Sequence, residues 1–379
     1  MPKPIYLDYN ATTPHDPEVI AAMRPFLEEA FGNPSSSHFY GNAPQKAVAD
    51  ARSQVAELLG SRPEEIVFTS GGTESNNHAL KGVAEAYADK GNHIITSRIE
   101  HPAILEVCQY LEKNGVAVTY VSVDDRGMVS AYEVEKAVTA RTVLISIMHA
   151  NNEVGTIQPL ADIARIAKAK DILLHTDAAQ SVGKIPTRVE ELGVDLLSVA
   201  GHKIYAPKGV GALFIRNGIR LPRFMQGAGQ ESGRRPGTEN VLEIVGLGKA
   251  CEIAARDLEQ NMTHMQHMRD RLYEGIRKKC VRIRVNGHPQ HRLPNTLSIS
   301  FEGLEANRIL ERIASRVAAS AGAACHSDRI DVSGVLKAMA VPLSWAKGTL
   351  RLTTGRMTTE ADIDHAIGVI SQAVESLND

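Results

Sequence analysis

Four stretches of this 379-residue chain carry residue types that could do chemistry. "TSGGTESNN" (69–77) sets two glycines and Thr73 at a turn between a strand pattern and a helix pattern. Backbone N–H groups at a helix start, with a hydroxyl beside them, make an anion site suited to a phosphate. No Walker lysine follows, which speaks against a nucleoside triphosphate; the plain alternative is an ordinary Gly-Gly turn. "LLHTDAAQSVGK" (173–184) ends an apolar strand on Asp177, where a buried carboxylate needs a cation. A protonated ring nitrogen would supply one, with Gln180 reaching the same ligand; otherwise Asp177 caps a helix. "DLLSVAGHKIYAPKGVGALF" (195–214) puts Lys203 beside His202 at a strand end. A lysine in a partly apolar setting can lose its proton and become a nucleophile, while an ordinary surface lysine cannot. "AGAACHSDRID" (321–331) holds Cys325 between small and polar residues, as core filler, metal ligand, disulfide half or nucleophile.

The elements that must position these groups can be read from hydrophobic spacing. Strand patterns fall at 65–70, 93–97, 116–123, 142–149, 171–177, 195–201 and 211–216, with helical spacing between most of them. Strands apolar on both faces and separated by helices predict a mainly parallel sheet in an α/β layer domain. Ligands in such sheets bind beyond the carboxyl ends of the strands, where the three groups above lie. A phosphate cradle, an acid for a pyridinium and a Schiff-base lysine together describe a pyridoxal 5′-phosphate site. A long amphipathic helix is expected from about 241 to 280, followed by a smaller α+β unit. The expected division is a large domain over 16–256 and a small one built from 1–15 and 257–379. On the long helix His264 and His267 stand at i, i+3, but no carboxylate or cysteine cluster joins them, so no metal is expected.

Charge is nearly balanced, 42 basic against 44 acidic residues, and no apolar run approaches membrane-spanning length. Neither direct nucleic-acid binding nor a membrane role is expected. The start, "MPKPIYLDYN", has no apolar leader core, and a cytoplasmic protein is the expectation. Cys108 and Cys251 sit in helix-like contexts that favour buried packing, and Cys280 ends a basic stretch with no evident task. Only Cys325 calls for a special explanation.

The sequence resembles the NifS/IscS-like cysteine desulfurases and selenocysteine lyases, class V pyridoxal phosphate enzymes of fold type I. The matching stretches include "YLDYNATTP", "GNPSSSH", "EHPAILE", "HANNEVGTIQP", "HTDAAQSVGK", "GHKIYAPKGVGAL", "RRPGTEN", "GAACHSD" and "LRLTTGR". The resemblance implies that Lys203 holds the cofactor covalently and Asp177 pairs with its ring nitrogen. It implies that His101 stacks on the ring and that Gln180 bonds the ring oxygen. Gly72, Thr73 and His202 would hold the phosphate, and Thr238 would reach the site of a neighbouring subunit in a homodimer. Asn152 and Arg351 would bind the substrate carboxylate, leaving Arg356 a structural role. Many relatives have serine where this chain has Ala200, a loss of one phosphate hydrogen bond worth about 0.5–1.5 kcal/mol.

The implied reaction takes sulfur from L-cysteine. Lys203 removes the Cα proton, a Cys325 thiolate attacks the substrate sulfur, and alanine and a Cys325 persulfide result. The Cys325 segment reads as a loop, with 326–333 long enough to move and His326 placed to lower the thiol pKa. A sulfur-acceptor protein is implied, for iron–sulfur assembly, tRNA thiolation or DNA phosphorothioation. Selenocysteine lyase is the alternative, followed by a class V aminotransferase that needs no mobile cysteine.

Overall fold

The structure is a computed structural model that describes residues 3–326 and 329–378, with the backbone alone for 323–326 and 329–331. Strand β1 (Ile5–Tyr6) comes first and pairs with a strand near the other end of the chain. The seven apolar runs between 65 and 216 then form β2 (Ile66–Thr69), β3 (His93–Ser97), β4 (Ala117–Val121), β5 (Thr142–Ser146), β6 (Leu173–Asp177), β7 (Leu196–Ala200) and β8 (Gly211–Ile215). They make one sheet in the order β2-β8-β7-β6-β5-β3-β4. Only β8 runs antiparallel to its neighbours; the other pairings are parallel. Successive side chains point to opposite faces, and both faces are covered. Phe68, Ile95, Ile145, Leu174 and Phe214 join one apolar cluster, while Val67, Ile94, Leu144, Leu196 and Leu213 join another. That two-sided burial is why the runs read as continuously apolar.

The long helix spans Val241–Lys279, within a residue of its expected ends. Its first half contributes Ile244, Leu247 and Cys251 to the first of these clusters. Its second half contributes Met268, Leu272 and Ile276 to a separate cluster with Leu7, Ile299 and Ile363. The strands that follow are β9 (Ile283–Asn286), β10 (Thr296–Phe301), β11 (Val317–Ala318, the partner of β1), β12 (Ser320–Ala321), β13 (Ala323–His326), β14 (Arg329–Val332) and β15 (Thr349–Thr353); all but β13 and β14 contribute to that second cluster. The order β12-β15-β10-β9 makes an antiparallel sheet, and β13 pairs with β14.

That last pairing corrects the loop expected around Cys325. The backbone of Cys325 is paired with Ile330 in an antiparallel ladder, and "RIDV" carries the alternating β-branched pattern that favours it. The side chains of Cys325 and His326 lie outside the described residues. Cys280, expected to be incidental, is buried in the second cluster. Burial pushes the thiols of Cys108 and Cys251 up to about 12, so both behave as small apolar residues. The Nε2 of His264 meets the Thr358 carbonyl at 2.9 Å and that of His267 meets Glu360 at 3.2 Å. Among the described residues no group of three potential metal ligands occurs, and no helix is long and apolar enough to cross a membrane.

Candidate active site

A cavity of about 420 Å³ opens at the carboxyl ends of β6 and β7. Asp177 is the last residue of β6, and Lys203 ends the single turn that follows β7. Asp177 lines the cavity, and its Oδ1 accepts from the Ala179 N–H at 2.9 Å within a run of turns, so no helix follows for it to cap. Its Oδ2 accepts from Asn76 Nδ2 at 2.7 Å. Lys203 Nζ donates to the carbonyls of Asn10 at 2.5 Å and Ala11 at 2.7 Å. Burial, with the Arg351 charge adding to it, pushes the amine down to about 8 against the pull of Asp8 and Asp177.

Gly72 and Thr73 open the helix Gly72–Ala86 and line the same cavity. The first intrahelical bond runs from the Ser75 N–H to the Gly71 carbonyl, so the Gly72 and Thr73 amides have no intrahelical acceptor and suit an anion. Gly71 before them has φ +146° and ψ −179°, a conformation open in practice only to glycine. His202 also faces the cavity, and its Nδ1 meets Thr12 Oγ1 at 3.2 Å. Burial and the neighbouring Lys203 push it down to about 4, so its ring is neutral at physiological pH. Ala200 lines the wall here, where an added Gly72 Cβ would come within 3.3 Å of it.

His101 starts the helix Pro102–Lys113, its Nδ1 accepting from the Ala103 N–H at 3.1 Å. It therefore caps a helix and lines the cavity at once, and in its neutral form carries the proton on Nε2. Burial lowers its pKa, Asp177 pulls it up and Lys203 pushes it down. Gln180 donates through Nε2 to the Asn10 carbonyl at 2.9 Å. On the opposite wall Arg351, from β15, donates through Nη2 to Asp8 at 2.8 Å and Ser320 at 3.2 Å. Its Nη1 reaches the Asn152 carbonyl at 3.3 Å, while its buried Nε has no partner among the described residues. Arg356 pairs with Asp16 and lies 4.0 Å above the Tyr205 ring, outside this cavity.

Thr238 does not line this cavity. It borders a separate hollow of about 250 Å³ with Ser70, Gly209 and Arg235.

The profile of the class V aminotransferases matches residues 5–365. The chain belongs to that family. A cysteine desulfurase IscS of Dictyoglomus turgidum is 47% identical over 378 residues, covering 100% of this chain and 96% of that protein. A solved NifS-like protein superposes with a TM-score of 0.93 at 40% identity, covering 99% of this chain and 100% of its own. A second solved structure, SspA in complex with cysteine, gives a TM-score of 0.81 at 35% identity, covering 94% of this chain and 100% of its own.

The class V cofactor is pyridoxal 5′-phosphate, and the donor set fits it. The helix-start amides, Thr73 and His202 line the cavity and would suit a phosphate. Asp177 and Lys203 line the same cavity, a carboxylate that would suit a protonated ring nitrogen and an amine that would suit an aldehyde. The orphaned Arg351 Nε leaves a donor for a second anion opposite them.

The sequence reading gave no role to Asn10, Ala11, Asn76 or Lys184. Asn76 stands four residues past Gly72, on the same helix face, so the helical spacing of "TSGGTESNN" was a usable signal. Asn10 lies in a quoted motif, but its link to Lys203 spans 193 positions and no local pattern reports it.

Proposed function

We propose that this chain is a pyridoxal phosphate-dependent cysteine desulfurase that converts L-cysteine to L-alanine and leaves a persulfide on Cys325. The observation that carries the reading is the root of the Cys325 hairpin. Ser320 of β12 accepts a hydrogen bond from Arg351, and only Gly322 separates β12 from the hairpin strand β13. The group fitted to a substrate carboxylate and the strand bearing the cysteine are thus neighbours.

Bound at Lys203, pyridoxal phosphate supplies an electron sink next to the substrate Cα. Arg351 and Asn152 hold the substrate carboxylate, the arginine through its free Nε and the Nη atoms it shares with Asp8 and Asn152. Lys203, whose amine is poised near neutrality, takes the Cα proton. Asp177, anchored by Asn76, holds the ring nitrogen in its charged form. The Cys325 thiolate then attacks the substrate sulfur. An S–S bond forms, the Cβ–S bond breaks, and its electron pair stays on carbon to be protonated as alanine.

Thr238, which borders a different hollow from its own Lys203, serves the partner subunit's cofactor in a homodimer. The large domain covers 16–256 and the small one 1–15 and 257–379, as the two apolar clusters that divide the long helix suggest. The free thiols at Cys108, Cys251 and Cys280 suit a reducing cytosol. The persulfide passes to an acceptor protein.

The test is release of sulfide and alanine from L-cysteine with a thiol reductant present. Wild type should produce both in equal amounts. Cys325→Ala should keep the cofactor absorption yet lose at least a hundredfold in sulfide release, and Lys203→Ala should lose both. Full activity of Cys325→Ala on cysteine rules out the persulfide route. Turnover of selenocysteine alone would make the chain a lyase.

A further inference from the structure

A second lysine stands at this site, buried and without an assigned task. The turns after Asp177 put Lys184 four residues beyond Gln180, and its side chain is only 4% exposed. Its Nζ donates to Gln180 Oε1 at 2.9 Å and to Asn10 Oδ1 at 3.0 Å. Gln180 Nε2 in turn donates to the Asn10 carbonyl, which also receives Lys203 Nζ. Lys184, Gln180 and Asn10 close a ring of hydrogen bonds, to which Lys203 is joined through the Asn10 carbonyl.

The partners of Lys184 are unusual for a lysine. Both are neutral amide oxygens, so the amine is not held by a carboxylate. Two acceptors match the two N–H groups of a neutral amine, whereas an ammonium would carry a third. Burial, and then the charges of Lys203 and Arg351, push its pKa well down. Tyr9, Lys203, Tyr205 and Arg356 are the other titratable side chains around the hollow it borders. A lysine this deep carries a burial cost that a merely space-filling methionine would avoid.

Gln180 is gripped at both ends of its amide. Lys184 donates to the oxygen, and the Asn10 carbonyl accepts from the nitrogen. A flipped amide would set its oxygen against the Asn10 carbonyl and forfeit the bond from Lys184. Asn10 is held independently by Asn295, Thr296 and Thr353, so its carbonyl is a fixed point and the grip on the Gln180 oxygen is the half that depends on Lys184.

We propose that Lys184 is a positioning residue that locks the Gln180 amide so that an N–H, and not the carbonyl, faces the ring oxygen of the cofactor. The inference rests on the pyridoxal phosphate reading of the cavity. A hydrogen bond to that oxygen stabilises its anionic form and lowers the pH at which the Lys203-linked cofactor loses its proton.

The experiment is a pH titration of cofactor absorption in holoenzyme of wild type, Gln180→Ala, Lys184→Met and the double variant. Each single substitution should raise the midpoint by about one pH unit, the scale of one hydrogen bond to a charged group. The double variant should shift no further, because Lys184 acts through Gln180. A Lys184→Met midpoint equal to wild type overturns the proposal, as does a double variant in which the two shifts add. Lys184→Gln retains an N–H donor and should hold the wild-type midpoint, which keeps the question open to test if the methionine variant does not fold. A Lys184→Gln protein that titrates like Gln180→Ala also overturns it. Wild type that takes up no cofactor chromophore refutes the cofactor reading itself, an outcome distinct from all of these.

Discussion

Lys203 and Glu100 carry the pH behaviour at the scale of single residues. Only a neutral amine attacks an aldehyde, and Lys203 becomes neutral as pH rises through about 8. Capture of pyridoxal phosphate by apo-protein should therefore accelerate about tenfold per pH unit below 8 and level off above it. Arg351→Gln removes a positive charge that holds the amine down, so the plateau should move to higher pH. Stopped-flow absorbance would follow both, and a rate independent of pH between 6 and 9 would contradict the assignment. Glu100, which accepts from Ser97 Oγ at 2.6 Å and from the Met148 N–H, is pushed by burial up to about 8. Between roughly 4.5 and 8 the folded protein keeps this proton while the unfolded chain releases it, so stability falls as pH rises across that window. Glu100→Gln should flatten the fall. Urea unfolding at pH 5 and pH 8 would measure it, and an undiminished slope would shift the cause elsewhere.

At the scale of elements, the phosphate end depends on how the helix Gly72–Ala86 begins. Gly71 takes a backbone conformation closed to other residues, while a Cβ there would meet nothing within 4 Å. Gly71→Ala should thus cost about 1–3 kcal/mol through the backbone alone. It should also speed cofactor loss, measured by dialysis and residual absorbance. The strands of the large sheet were legible in the sequence because burial on both faces leaves a continuous apolar run, and each lies within its expected stretch. The reversal of β8 was not legible, since a five-residue run reads the same in either direction. The β13–β14 hairpin was missed for another reason. Small residues before Cys325 suggested a loop, and the alternation in "RIDV" went unweighed. Within the site, Lys203, Asp177 and Arg351 stood out through their motifs. Lys184, Asn10 and Asp8 take meaning only from contacts that fold the chain across itself, such as Asp8 with Arg351, 343 positions apart.

For the whole molecule, the helix Val241–Lys279 ties the two apolar clusters together, and its close approach to the helix Phe39–Leu59 depends on Gly248. A Cβ at Gly248 would lie 2.6 Å from the Ala51 Cα, a contact with backbone that cannot rotate away. Gly248→Val should cost on the order of 1–3 kcal/mol in unfolding free energy. The cofactor titration midpoint should stay unchanged, since the helix does not line the cavity. The N-terminal segment has an opposite kind of importance. β1 pairs with β11, and Asn10 is pinned by Thr296 and Thr353, yet Asn10 and Ala11 supply the carbonyls that receive Lys203. On the ribosome this segment precedes Thr353 by 343 positions, on the order of tens of seconds at ordinary synthesis rates. Until then a nascent chain has the lysine and its two acceptor carbonyls but not the Thr353 contact that helps to fix them. A change at the far end of the chain should therefore be felt at the lysine: Thr353→Val, which removes the Oγ1 that receives the Asn10 N–H, should speed the loss of bound pyridoxal phosphate on dialysis.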